Sequence, residues 1–117
     1  MDKQELQKRT QQFALRIIRL QAALPKGTAE YVLGKQLLRC GTSVGANYRA
    51  ACLAKSRADF AAKLKICEEE ADESIYWLEL ICMAGLMPEP RVQPLADEAR
   101  QIAAIMAAAC KTTREAG

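Results

Sequence analysis

The sequence predicts an all-α fold, an up-down-up-down antiparallel four-helix bundle that forms a single domain over residues 1–117. Apolar residues recur every three or four positions in four segments, which is the spacing of one helix face. Only short links separate these segments, and short links between long helices favour antiparallel neighbours. Half of the residues are hydrophobic and 5% are aromatic, a composition that suits helices and supplies one core.

The first two helices are predicted over residues 3–24 and 29–55. Pro25 and Gly27 interrupt the apolar pattern between them, and Thr28 is a suitable N-cap for the second helix. The apolar stripe of the first helix consists of Leu6, Phe13, Ile17, Leu20 and Leu24. The stripe of the second helix consists of Leu37, Val44, Tyr48 and Ala51.

The last two helices are predicted over residues 57–84 and 91–113. Ser56 fits the N-cap of the third helix, with Asp59 at the third position of a capping box, and Gly85 fits its end. Pro94 fits the first turn of the fourth helix, where a missing N–H is harmless. The predicted inner faces are Phe60, Leu64, Cys67, Ala71, Leu78 and Ile81 in the third helix, and Leu95, Ile102, Ile105, Met106, Ala109 and Cys110 in the fourth.

Two glycines in the second helix require an explanation. Each Gly costs about 1 kcal/mol relative to Ala inside a helix. Gly41 and Gly45 stand four residues apart, so they share a face that another backbone can approach closely. This face serves either close helix packing inside the bundle, or a subunit contact or nucleic-acid groove.

Charge is distributed unevenly along the chain. Residues 1–57 carry eleven Lys or Arg and three Asp or Glu, whereas residues 58–90 carry two and eight. These charges either pair with each other, within the fold or between copies, or the basic part meets a polyanion. Evenly spaced cations can neutralise phosphates without reading a base sequence. The candidate nucleic-acid contacts are Lys8, Arg9, Arg16, Arg19, Lys35, Arg39 and Arg49.

The acidic third helix supplies the candidate assembly or salt-bridge residues. Glu69, Glu70 and Glu73 are expected to pair with Arg39, Arg49 or a neighbouring subunit, or to be solvated. Asn47 lies among small residues and, if buried, is expected to find hydrogen-bond partners among these acids.

Several functional classes are disfavoured by composition. The chain has no histidine, which removes histidine-based triads and metal sites, and we predict no enzyme activity, no metal and no cofactor. Its five cysteines contain no CxxC pair and are expected to be reduced core residues. The start is polar and no apolar run is long enough to span a bilayer, so we predict a cytoplasmic protein without a membrane partner.

Two segments, LLRCGTSVGANYRAA and SRADFAAKLKICEEEADESIYWLELI, resemble the family of 23S rRNA-intervening sequence proteins. Here Tyr48-Arg49 follows Asn47, whereas many members of the family have Ile-Ala-Glu after the corresponding Asn. The matching positions are Arg39, Ser43, Val44, Asn47, Ala51, Lys55, Ser56, Asp59, Phe60, Glu70, Glu73, Tyr76, Trp77 and Leu78.

The resemblance implies a bacterial bundle that assembles into a ring-shaped homo-oligomer, typically a homopentamer. Some relatives resemble the accessory protein of diversity-generating retroelements, which binds nucleic acid and a reverse transcriptase. The resulting hypothesis is a non-enzymatic, oligomeric protein that binds RNA or DNA or assists a nucleic-acid enzyme. The alternative is a protein-interaction scaffold whose charges serve self-assembly without nucleic acid.

Overall fold

The computed structural model describes residues 1–116, which fold into four helices. They are α1 (Lys3–Ala22), α2 (Thr28–Cys52), α3 (Arg57–Met83) and α4 (Glu89–Glu115). Each helix packs against the next, and α4 also contacts α1, so the four close into a bundle measuring 48 × 20 × 19 Å. The predicted all-α four-helix bundle is therefore confirmed.

The start and end of α3 follow the predicted signals. Ser56 Oγ accepts a hydrogen bond from the Asp59 N–H at 3.0 Å, which confirms the N-cap. The Asp59 carboxylate accepts from Lys63 Nζ at 2.7 Å, an i,i+4 ion pair rather than the reciprocal bond of a capping box. Gly85 has φ +73°, and the N–H groups of Gly85 and Leu86 donate to Cys82 and Ile81 carbonyls in a glycine-terminated cap.

Four predicted boundaries need correction. Helix α1 ends at Ala22 and α2 at Cys52, before the predicted ends. After each end, the backbone N–H groups donate to carbonyls three residues earlier, which is a 3₁₀-type pattern that closes the helix. Thr28 is the first residue of α2 and Gly27 precedes it as the N-cap. Helix α4 begins at Glu89 with Pro90 in its first turn, so Pro94 lies inside the helix.

The core consists mostly of the predicted apolar stripes. Phe13, Ile17, Leu37, Leu64 and Ile102 are fully buried. Four predicted members, Leu24, Phe60, Ile105 and Ala109, are only partly buried at its edge.

Two buried polar residues, Thr10 and Ser74, were missed by the sequence reasoning. Their hydroxyls donate to carbonyls of their own helices, Thr10 to Leu6 at 3.0 Å and Ser74 to Glu70 at 2.8 Å. Because each hydroxyl is satisfied locally, it can face the core without an unpaired polar atom.

Candidate nucleic-acid interface

The two central glycines of α2 bring it close to α1. A Cβ on Gly41 would lie 2.8 Å from the Cγ1 and Cγ2 atoms of Ile17, and one on Gly45 would lie 3.1 Å from Thr10 Oγ1. Ile17 is fully buried, so a side chain at position 41 has no free space. The interpretation as close packing inside the bundle is therefore confirmed for both glycines.

An open groove of about 950 Å³ lies along the outside of this close approach. Amide and small side chains dominate its lining, together with two cations on opposite walls, and none of the lining residues is acidic. The α1 wall consists of Gln4, Gln7, Lys8, Thr10, Gln11, Gln12 and Ala14, and the α2 wall consists of Thr42, Gly45, Ala46 and Arg49.

Four candidate cations of α1 and α2 are both exposed and outside the ion pairs among residues 1–116. Lys8 and Arg49 line the groove. Arg19 and Lys35 lie toward the other end of the helix pair, where Gly34 of α2 packs against α1. Within residues 1–116, the recorded ion pairs involve none of these four side chains. Their charge therefore faces solvent.

Arg16 and Lys35 occupy different environments. Arg16 is half-buried on α1, and the ion pairs of the described chain do not include it. Lys35, one of the exposed four, holds its Nζ 5.9 Å from the centre of the Tyr31 ring, a cation–π contact that leaves the charge accessible.

Arg9 is held in a bridge between α1 and α4. Its Nε and Nη2 donate to the two carboxylate oxygens of Glu98 at 2.8 and 2.7 Å, and Nη2 also donates to Gln101 Oε1 at 2.7 Å. The hydrogen bonds that Arg9 donates to Glu98 raise the pKa of Arg9. This two-point geometry directs the guanidinium to α4 rather than to solvent.

Arg39 links α2 to α3, as predicted for the acidic residues of the third helix. It pairs with Glu70 at 3.3 Å and with Glu73. Glu73 also accepts a hydrogen bond from Trp77 Nε1 at 3.0 Å, and this bond, with the Arg39 contact, lowers the pKa of Glu73. Glu69 is exposed and the ion pairs among residues 1–116 do not include it.

Asn47 does not donate to the acids of α3 as expected. Its Nδ2 donates to the backbone carbonyl of Ser43 at 2.9 Å, one turn earlier in the same helix. The amide thus finds its partner on its own helix, as Ser, Thr and Asn side chains inside helices often do. The expectation of an inter-helix partner for this donor was wrong.

Cations on the other two helices differ from those of the groove. Lys65 pairs with Glu68 at 3.4 Å, and Arg100 pairs with Glu79 at 2.9 Å and Asp97 at 3.1 Å. These cations of α3 and α4 are compensated locally, whereas Arg91, Lys111 and Arg114 of α4 lie outside the ion pairs among residues 1–116.

Three of the five thiols, those of Cys40, Cys67 and Cys110, are buried. Burial raises the pKa of Cys40 and raises the pKa of Cys67 to about 12. Among residues 1–116, no group of three or more Cys, Asp or Glu side chains is arranged to hold a metal ion. None of the helices in this range has an apolar stretch that could cross a membrane.

Sequence reasoning missed the glutamines of the groove and the partner of Arg9. A signal for the glutamines was available, since Gln4, Gln7 and Gln11 follow the three- and four-residue spacing of one helix face. No comparable signal existed for Glu98, because it lies 89 residues from Arg9 and only the fold brings them together.

The fold and its surface define a class: a small four-helix bundle with a groove between α1 and α2 that is lined by two cations and no acidic side chain. A sequence profile of the family described as 23S rRNA-intervening sequence protein matches residues 2–108. The chain therefore belongs to the 23S rRNA-intervening sequence protein family, as the resemblance in the sequence indicated.

One solved structure shows the same architecture. It is the crystal structure of a protein of unknown function from the S23 ribosomal protein family of Bacteroides thetaiotaomicron. The two chains share 36% identity with a TM-score of 0.87, over 95% of this chain and 99% of the other. No protein with a curated description matches the sequence.

Proposed function

We propose that this chain is a non-enzymatic, oligomeric protein that binds RNA or DNA through the outer face of α1 and α2. The observation that carries the proposal is the grouping of Lys8, Arg19, Lys35 and Arg49, which are exposed on these two helices without a carboxylate partner among residues 1–116. Such cations can displace counterions from phosphates. Half-buried Arg16 adds to the same positive field.

Arg9 and Arg39 have a different role in this proposal. Both also belong to the candidate contacts from the sequence, but their ion pairs with Glu98 and with Glu70 and Glu73 already neutralise them. A guanidinium that leaves such a pair for a phosphate exposes an unpaired carboxylate next to the bound strand. We therefore assign these two arginines to holding the helices together.

Assembly into a ring-shaped homo-oligomer, typically a pentamer, is part of the proposal because the family resemblance implies it. Exposed apolar side chains on α3 support a contact between copies, since Ile66, Tyr76 and Met83 are 39, 57 and 82% exposed. Native mass spectrometry of the purified protein measures the subunit number. A protein that remains a monomer at micromolar concentration would contradict this part.

The resemblance also suggests an accessory role beside a reverse transcriptase in the bacterial cytoplasm. Five free cysteines fit a reducing compartment. Co-purification with a reverse transcriptase encoded by a neighbouring gene would support this role, and a gene neighbourhood without one would contradict it.

The test of nucleic-acid binding is a salt series with duplex DNA and structured RNA. Affinity that falls linearly with salt on logarithmic axes is expected, and the slope counts the phosphate contacts. Arg16→Glu/Arg19→Glu should weaken binding strongly. Lys111→Glu/Arg114→Glu makes the same charge change on α4 and should have a smaller effect. Absence of binding at low salt would overturn the proposal.

A protein-interaction scaffold remains the second candidate because α3 carries exposed acids beside exposed apolar groups. Glu69 and Asp72 lie outside the ion pairs recorded for residues 1–116, and Tyr76 lies one turn further along the same face. If the charges serve assembly alone, Glu69→Lys/Glu73→Lys dissociates the oligomer and the protein ignores nucleic acid at every salt concentration.

A further inference from the structure

We propose that the groove between α1 and α2 binds a single strand of nucleic acid. Lys8 and Arg49 would contact its phosphates, and the glutamine side chains would contact its sugars and bases. The proposal rests on the proposed nucleic-acid function and adds both the place of binding and the strandedness of the ligand.

The electrostatics of the groove favour an anion. Its two charged lining residues, Lys8 and Arg49, are both positive and stand on opposite walls. No acidic side chain lines it, so nothing in the groove repels a phosphate or competes for the two cations. A concave site lined by one sign of charge concentrates the field and attracts counter-charged ligands.

The uncharged part of the lining suits nucleotides. Gln4, Gln7 and Gln11 follow each other at three- and four-residue spacing along the α1 wall. Each carboxamide offers a donor and an acceptor. Base edges and ribose hydroxyls present the complementary donors and acceptors, which are accessible when a strand is unpaired.

The shape of the groove favours one strand over two. Its volume of about 950 Å³ lies at the upper end of the range of small-molecule sites, about 300–1,000 Å³. A short stretch of an unpaired strand can enter such a space. A duplex presents a convex phosphate surface and keeps its base edges inside its own grooves, so it cannot bring them to the glutamines.

The same lining disfavours a docked peptide helix. Helix-in-groove recognition depends on large apolar anchors inserted in an apolar cleft. Here the apolar groups of the lining are small, chiefly Ala14 and Ala46. No aromatic side chain lines the groove for base stacking, so binding should depend on charge and hydrogen bonds and show little sequence preference.

The test measures fluorescence anisotropy of a labelled single strand of about ten nucleotides, a length within the range that one binding groove covers. A duplex of the same sequence is measured beside it, over a salt series. Wild type should bind the single strand more tightly than the duplex. Lys8→Glu/Arg49→Glu should weaken strand binding at least tenfold and reduce the salt slope by about 0.7 for each lost phosphate contact.

A second pair of variants tests the groove itself, because each variant adds one negative charge but only one of them adds it to the groove. Ala46→Glu places a carboxylate in the groove lining, and Ala104→Glu places one at an exposed position of α4. Both positions are exposed on a helix, so both variants should fold as wild type does by circular dichroism. Ala46→Glu should lose strand affinity at least tenfold, whereas Ala104→Glu should change it less than threefold.

The outcomes separate the groove from the wider function. If wild type binds nucleic acid but the groove variants behave as Ala104→Glu and Lys111→Glu/Arg114→Glu do, the groove proposal is wrong and the surface proposal stands. Equal or tighter binding of the duplex overturns the strandedness. If wild type binds neither ligand at low salt, the proposed function fails as well.

Discussion

The two faces of α2 differ in whether their arginines meet carboxylates. Toward α3, Arg39 meets Glu70 and Glu73, and Ser74 Oγ lies 3.3 Å from Cys40 Sγ. Toward α1, the helix presents glycines to the facing backbone and Arg49 to an acid-free groove.

This difference shows that the role of a cation depends on what the fold places beside it. Arg39 and Arg49 belong to one helix, lie ten residues apart, and carry the same charge. Acids on a neighbouring helix neutralise the first, and the second remains available to a ligand. Counting basic residues along the chain cannot separate the two.

A large effect of a single substitution is expected at the close approach of α1 and α2. Gly41→Leu should lower the free energy of unfolding by about 1–3 kcal/mol, because its side chain would enter the space that buried Ile17 occupies. Urea unfolding measures the change. Ala46→Leu, on an exposed position of the same helix, serves as control. Equal stability of the two variants would contradict the close packing.

Alkaline pH should lower the stability of the bundle because Tyr48 of α2 and Cys67 of α3 are buried groups that titrate at high pH. Burial raises the pKa of Cys67 from 9.0 and of Tyr48 from 10.0, each to about 12. The unfolded chain therefore releases these protons first, so stability is complete below pH 9 and falls as the pH rises toward 12. Each group can cost about 1.4 kcal/mol per pH unit between its two pKa values.

Thermal unfolding between pH 8 and 11 checks this expectation, with the range chosen to span the unfolded pKa values. Tyr48→Phe removes one titrating group and should make the decline shallower. A wild-type melting temperature that stays constant over this range would show that burial does not raise these pKa values.

The smallest effect is expected in acid, at the α2/α3 ion pair. The Trp77 hydrogen bond and Arg39 lower the pKa of Glu73 below 4.5, so its contribution is present above pH 4.5 and lost as the pH falls through the lowered value. The pair is partly exposed, which limits the effect to less than about 1 kcal/mol.

Urea unfolding at neutral and acid pH can detect this effect with matched variants. Glu73→Gln should reduce the difference in stability between the two conditions, whereas Glu69→Gln, on an exposed residue of the same helix, should leave it unchanged. Identical acid profiles for Glu73→Gln and wild type would mean that the ion pair contributes nothing.

The helices and the core stripes could be predicted because they depend on local information. Periodicity identified Phe13, Ile17 and Leu64 as core residues, and capping chemistry placed Ser56 and Gly85 correctly. The ends of α1 and α2 were harder to predict from the sequence, since fraying of a last turn depends on a few weak hydrogen bonds.

The candidate site could be predicted only in part because it depends on which helices become neighbours. The sequence identified the cations and the acids of α3, and Arg39 was one of several partners it allowed for Glu70 and Glu73. It could not place Glu98 beside Arg9, nor show that Lys8 and Arg49 face each other across a groove. Those juxtapositions require the packed bundle.

A direct comparison of Arg39→Gln and Arg49→Gln tests the central claim that paired cations hold the fold and solvent-facing cations bind nucleic acid. Both variants remove one positive charge from α2. For each, the free energy of unfolding and the affinity for a single strand are measured in the same buffer. Arg39→Gln should lose up to about 1 kcal/mol of stability and keep its affinity. Arg49→Gln should keep its stability and bind more weakly, with a salt slope reduced by about 0.7. Equal loss of affinity in both variants would contradict the claim, because it would mean that net charge alone governs binding.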